Sequence, residues 1–193
     1  MVTTLAQTRP SDEQLAREAA REGSDGPAFT ELVSRFRERV WRICYRIMGN
    51  TEDASDAAQE VLVRMFLQRG RFEERSRYST WVHGIAIRIC LSMRRGRGRR
   101  QKRVDVVPNL DLNTQPLPTH AGSHNTQAPV AERRIDLDHM LQHLGDEDRA
   151  LLVMKYAEGH THEELSEIFG MSQSACKMRI NRAISRLREQ FDR

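Results

Sequence analysis

Residues 161–188 constrain the fold most, because they spell two helices with only a three-residue break between them. Thr161 stands where a helix cap belongs, and Glu164 follows at the reciprocal capping-box distance. Leu165, Ile168 and Phe169 form one apolar stripe, and Gly170 supplies the left-handed residue that stops a helix. Ser172 caps a second helix, whose Cys176, Ile180, Ala183 and Leu187 recur at helical spacing. That helix also carries Lys177, Arg179, Arg182, Arg186 and Arg188. A helix, a short glycine turn and a basic second helix make the helix-turn-helix pattern, in which the second helix lies in the DNA major groove. The bland alternative is a plain helical pair with a solvated basic face.

The remaining periodic segments are helical too. Ser11 with Gln14 predicts a capped helix ending near Gly23, and Asp25 is placed to cap the next one. The second helix turns Phe29, Leu32, Val33, Phe36, Val40, Ile43, Cys44 and Ile47 inward and stops at Gly49-Asn50. Thr51 is the expected cap of a third helix. Its Ala54, Ala57, Ala58, Val61, Leu62, Met65 and Phe66 point inward, its Glu52, Asp53, Asp56, Gln59, Glu60 and Arg64 outward, and Gly70 closes it. After a loop from Arg71 to Tyr78, Ser79 is the expected cap of a fourth helix with Trp81, Val82, Ile85, Ala86, Ile89, Cys90 and Met93 inward. The two glycines of the basic run 94–103 predict fraying there. Residues 104–130 hold Pro108, Pro116, Pro118 and Pro129 among Asn, Thr, Ser and Gln, a composition that buries no core and reads as a linker. A second helical region begins near Ala131, with a Leu137, Met140, Leu141, Leu144 stripe. Asp146 then caps a helix bearing Leu151, Leu152, Met154 and Tyr156. No alternating strand pattern competes. The expected fold is all-α: a helical domain over 12–103, a flexible linker over 104–130, and a helix-turn-helix domain over 131–193.

Charge placement says more than the formal net of +4. Residues 94–103 carry seven basic side chains and no acidic one, and residues 174–193 carry six basic against two acidic. Between them, 131–173 hold ten acidic and four basic residues. Two separated positive blocks suit a polyanion touched at two places. Cys44, Cys90 and Cys176 form no close pair, which points to small core residues in a reducing compartment. No apolar run approaches the ~20 residues of a membrane span. The N-terminus lacks a charged segment leading into an apolar one, so a soluble, cytoplasmic chain is expected. His160-Thr161-His162-Glu163-Glu164 is not the His-Glu-x-x-His metalloprotease pattern, and no phosphate loop or nucleophile elbow occurs. No catalytic residue, metal or cofactor is therefore expected.

Four stretches, in order, resemble the extracytoplasmic-function (ECF) sigma factors of bacterial RNA polymerase, across residues 12–191. Asn50 to Leu62 resembles the family's polymerase-binding helix. Phe72 to Tyr78, with Ser79-Thr80-Trp81 after it, resembles its melted-promoter loop. Leu144 to Tyr156 resembles the first half of its C-terminal domain, and 161–188 its upstream-element reader. The resemblance implies a non-enzymatic factor that binds core polymerase, reads the minus-35 and minus-10 promoter elements, helps melt the promoter and starts transcription of a stress-responsive regulon. Ser172, Gln173, Ser174, Lys177, Met178, Arg179, Asn181 and Arg182 would meet the minus-35 element. Phe72, Arg75, Ser76, Arg77, Tyr78 and Arg88 would hold unpaired minus-10 DNA. Asp53, Asp56, Gln59 and Glu60 would dock on the β′ clamp helices. The β flap and an anti-sigma factor are further implied partners. The chain departs from type at Glu74-Arg75, where Gly-Glu is frequent, at Arg88, where Asn is, and at Ser174-Ala175-Cys176, where Gly-Thr-Val is usual. The alternative reading is a stand-alone helix-turn-helix regulator binding duplex operator DNA.

Overall fold

A computed structural model describes residues 9–22, 26–104 and 140–191. Asp25, the expected linker past residue 104, and residues 131–139 with the expected Leu137 position lie outside the described residues. Helix α1 (Asp12–Arg21) opens on the expected reciprocal cap: the Gln14 N–H donates to Ser11 Oγ, and the Ser11 N–H to Gln14 Oε1. Helix α2 (Pro27–Met48) starts with proline in its first turn, where a missing N–H leaves no bond unmade, and stops at Gly49 with φ 82°. Helix α3 (Thr51–Leu67) is capped by Asn50 and not by Thr51; Asn50 Oδ1 accepts from the Asp53 N–H at 2.9 Å. A short 3₁₀ turn, Arg69–Arg71, leads to the loop.

Helix α4 (Tyr78–Val104) corrects two expectations. It begins one residue before the expected Ser79 cap. The Tyr78 N–H instead donates to Glu13 Oε1 of α1 at 3.1 Å, so the donor is satisfied from far along the chain. The helix also continues through the basic run, although Gly96 and Gly98 each disfavour it by about 1 kcal/mol relative to Ala.

Helices α1–α4 share one apolar interior. Leu32, Val40, Ile43 and Ile47 of α2 are wholly buried against Ala54, Ala57, Val61 and Met65 of α3 and Val82, Ala86 and Cys90 of α4. The small alanines of α3 let it lie close along α2, which is how ridges fit into grooves. Each large aliphatic buried here contributes roughly 1.5–3 kcal/mol.

The C-terminal module comprises α5 (Asp146–Leu152), a π-helical turn (Val153–Ala157), α6 (His162–Phe169) and α7 (Gln173–Phe191). Gly145, not Asp146, is the cap of α5. The Thr161–Glu164 capping box forms as its spacing predicts, and Gly170 takes the left-handed conformation at φ 65°. Among the described residues there is no strand, and no helix is long and apolar enough to cross a membrane.

The two modules pack directly on one another, α4 against α5 and α6, and α2 against α5 and the π turn. Arg149 of α5 is buried at the seam. Its Nε donates to the Leu141 carbonyl at 2.7 Å, and Nη1 to the Ile47 carbonyl at 3.0 Å, near the C-terminal end of α2. Arg94 of α4 serves the same helix end, donating to the Ile47 and Met48 carbonyls at 3.3 and 3.0 Å while it ion-pairs with Asp146. Cationic donors suit a helix C-terminus, where carbonyls lack partners and the dipole is negative.

Candidate polymerase and nucleic-acid interfaces

Helix α7 exposes most of the residues expected to meet the minus-35 element. Cys176, Ile180 and Ala183 are buried, and Ser172, Gln173, Ser174, Lys177, Met178, Asn181 and Arg182 are exposed. The first three of these exposed residues sit at the helix start, where unbonded N–H groups face outward. Ser172 Oγ accepts from the Ala175 N–H at 3.2 Å and meets Ser174 Oγ at 3.0 Å. Arg179 is different. It is half-buried and ion-paired with Glu147 at 2.7 Å and Asp148 at 2.5 Å, and Asp148 also holds Arg186 at 3.0 Å. Charge that the sequence offered to DNA is thus partly committed to acidic residues of α5. Among the described residues Arg182 and Lys177 carry no such pair.

In the loop before α4, Arg75 and Arg77 are exposed and Ser76 is half-buried. Phe72 packs edge-on against Tyr78 at 5.1 Å and lies tilted on Trp81 at 5.8 Å. Tyr78 is 1% exposed, edge-on to Phe36 at 5.5 Å and stacked with Trp81, so in this conformation it is a core aromatic and offers no face to an unpaired base. Burial, with the Asp12 charge assisting, pushes its phenol pKa upward. Glu74 adopts φ 56°, a left-handed conformation that glycine takes without strain and a residue with a Cβ does not. An ion pair with Arg17 at 3.3 Å holds it there. Arg88 is exposed, and its guanidinium lies over Gly84, within ordinary contact of where a Cβ would stand.

On α3, Asp56 and Gln59 are exposed, and Glu60 is half-buried and bonded to Arg64 at 2.6 Å. Asp53 is 2% exposed, contrary to its expected place on the outer face. It closes the cap of its own helix through Asn50 and forms a two-pronged ion pair with Arg97. Between α2 and α3 runs a groove of about 920 Å³ bordered by Arg37, Trp41, Ser55, Gln59 and Leu62. Trp41 stacks on Tyr45 at 5.3 Å and points its indole N–H at Ser55 Oγ.

Several residues with defined roles escaped the sequence reading. Arg149, Glu158 and His83 carried no local signal. His160, two positions before His162 in sequence, turns to the seam and bonds His83.

The chain matches the Sigma-70 region 2 model over residues 32–100 and the Sigma-70 region 4 model over 134–187. Those two regions define a sigma factor, a DNA-binding initiation factor of transcription. It is 31% identical to the ECF RNA polymerase sigma factor SigE of Mycolicibacterium smegmatis over 185 residues, covering 93% of this chain and 69% of that protein. The chain belongs to the ECF group of the sigma-70 family. Among solved structures, CnrH in complex with the cytosolic domain of CnrY shares the fold with a TM-score of 0.67 at 19% identity, covering 95% of this chain and 98% of that one. The sigma factor RpoE, in complex with the anti-sigma factor NepR from Bartonella quintana, matches with a TM-score of 0.63 at 23% identity, covering 86% and 98%.

Proposed function

We propose that this sigma factor reads its minus-35 element chiefly through Lys177, Met178, Asn181 and Arg182, with the Ser172–Ser174 helix start receiving a phosphate. The exposed basic face of α7, set on the buried Cys176, Ile180 and Ala183, carries this reading. Arg179 joins after exchanging its α5 carboxylates for DNA. Unpaired minus-10 DNA is held by Arg75, Ser76 and Arg77, the accessible edge of Phe72, and Arg88; single strands are bound by cationic grooves and stacking in this way. Tyr78 supports the loop from beneath.

Asp56, Gln59 and Glu60, with the neighbouring α2–α3 groove, dock on the β′ clamp helices. An apolar groove of about 580 Å³, bordered by Leu152, Val153, Tyr156, Ile184 and Leu187, suits the β flap. The domains divide at 12–103 and 131–193, with 104–130 as the linker. The protein acts in the cytoplasm, without catalysis of its own, and an anti-sigma factor restrains it.

Run-off transcription with purified core polymerase and a promoter library tests this reading. Arg182→Ala is expected to relax upstream-element choice by roughly 1–3 kcal/mol, with core binding intact. Arg179→Ala is the less clean probe, since it also leaves Glu147 and Asp148 unpaired. Unchanged promoter choice in the Arg182 variant would remove α7 from the reading role. Duplex binding without core polymerase, and no transcription with it, would favour the stand-alone regulator.

A further inference from the structure

Two histidines meet across the seam at a depth where neither can be hydrated. His83 of α4 is 0% exposed and His160, just before α6, is 4% exposed. His83 Nδ1 lies 2.7 Å from His160 Nε2 with the rings edge-to-face, so one of these nitrogens carries a proton and the other a lone pair. His160 Nδ1 faces Glu164 Oε2 at 3.3 Å, which places its N–H toward the carboxylate. His160 Nε2 is therefore the lone pair, His83 Nδ1–H donates to it, and among the described residues His83 Nε2 is left buried without a partner.

We propose that this contact is an acid-released latch: the neutral His83–His160 pair holds the two modules together, and protonation of the pair parts them. A further proton has no good place in the closed seam. On His83 Nε2 it makes a charged N–H with no acceptor. On His160 Nε2 it sets N–H against N–H, unless His83 moves its own proton to the partnerless nitrogen. Opening hydrates both rings and removes the conflict.

Charged groups face the pair from several elements. Arg39 of α2 disfavours a positive charge on both rings, and it is itself paired with Glu158 at 2.7 Å, as is Arg46 at 3.3 Å. Lys155 of the π turn donates to the His160 carbonyl at 3.1 Å. Glu164 and Glu158 favour protonated His160, but burial outweighs them. Glu164 is itself drawn upward by burial, yet bonds from the Thr161 N–H, Thr80 and His160 hold it below the usual carboxylate range. It therefore stays charged as the histidines titrate. Burial first, then Arg39 and His160, push His83 down to about 3. Burial likewise lowers His160.

Lowered histidine pKa values mean that the open form binds more protons. Closure is thus fully favoured above the ordinary value near 6.5 and weakens as pH falls below it, toward His83's own depressed value. Each ring shifts the open-to-closed ratio by up to about tenfold per pH unit in that window. The latch stands on the seam alone; its consequence, a wider separation of the two promoter-reading surfaces in acid, rests on the proposed function.

Small-angle scattering of the full chain from pH 8 to 5, with circular dichroism and histidine side-chain NMR, tests it without polymerase. The expected result is expansion at constant helix content, in step with protonation of both rings. His83→Leu/His160→Leu should remain compact throughout. His160→Gln, which keeps an acceptor for His83 Nδ1–H, should show a weaker pH response, and it decides the matter should the leucine pair fail to fold. A wild-type chain compact to pH 5, rings that titrate without expansion, or a His160→Gln variant that opens as the wild type does would each overturn the latch. Run-off transcription remains a separate test, so failure of the latch and failure of the promoter reading are distinguishable.

Discussion

Inside the α1–α4 bundle the buried contacts are made by apolar side chains such as Leu32, Val40, Ile43, Val61 and Met65; toward the C-terminal module the apolar cluster runs on into Leu151, Met154 and Leu165, but the seam also buries the polar groups His83, Arg149, Glu158 and His160. An apolar interior regains nothing from water when it opens. A seam of hydrogen-bonding groups regains most of what it loses, since water replaces each partner. The polar share of the seam therefore makes it the easier of the two to open.

Substitutions on either side sharpen that contrast. Ile43→Ala should be the most damaging, removing about 2–5 kcal/mol of stability through lost burial and a cavity. Denaturant unfolding would show the loss across both modules, because the bundle carries the surface on which the second module rests. Arg149→Met should remove about 1–3 kcal/mol, the magnitude of leaving the Leu141 and Ile47 carbonyls without that donor. Amide exchange should quicken at 160–164 but stay unchanged within α2 and α3. Equal quickening in the bundle would abolish the distinction between the two interfaces. Glu74→Gly should have the smallest effect, with the opposite sign. Relief of left-handed strain, roughly 1–2 kcal/mol, outweighs loss of an exposed ion pair worth under about 1 kcal/mol, so thermal unfolding should move up by a few degrees.

Local features were legible in the sequence because their physics is local. The Ser11–Gln14 and Thr161–Glu164 boxes, the Gly49 and Gly170 stops and the buried face of α7 all depend on residues three or four apart. Two residues expected at interfaces are buried, as their spacing alone would have indicated. Asp53 leads the Ala57–Val61 row and Tyr78 the Val82–Ala86 row, each at intervals of four, and both are buried. A charge invites an outward assignment, but Arg97, a full helix away, makes burial tolerable. The seam left no such trace. His83 and His160 are separated by 77 positions, and nothing near either one records the other. The acceptors that serve the first turns of α3 and α4 follow the same rule: Asn50 is adjacent and readable in principle, whereas Glu13 serves Tyr78 from 65 residues away.

The end of α2 carries a safeguard. Ile47's carbonyl accepts from Arg149 of one module and from Arg94 of its own, and only the first departs when the modules separate. Met48's carbonyl keeps its Arg94 bond as well. The long second helix consequently retains a cationic terminus in both arrangements, so the bundle can let go of its neighbour without unravelling where the two were joined.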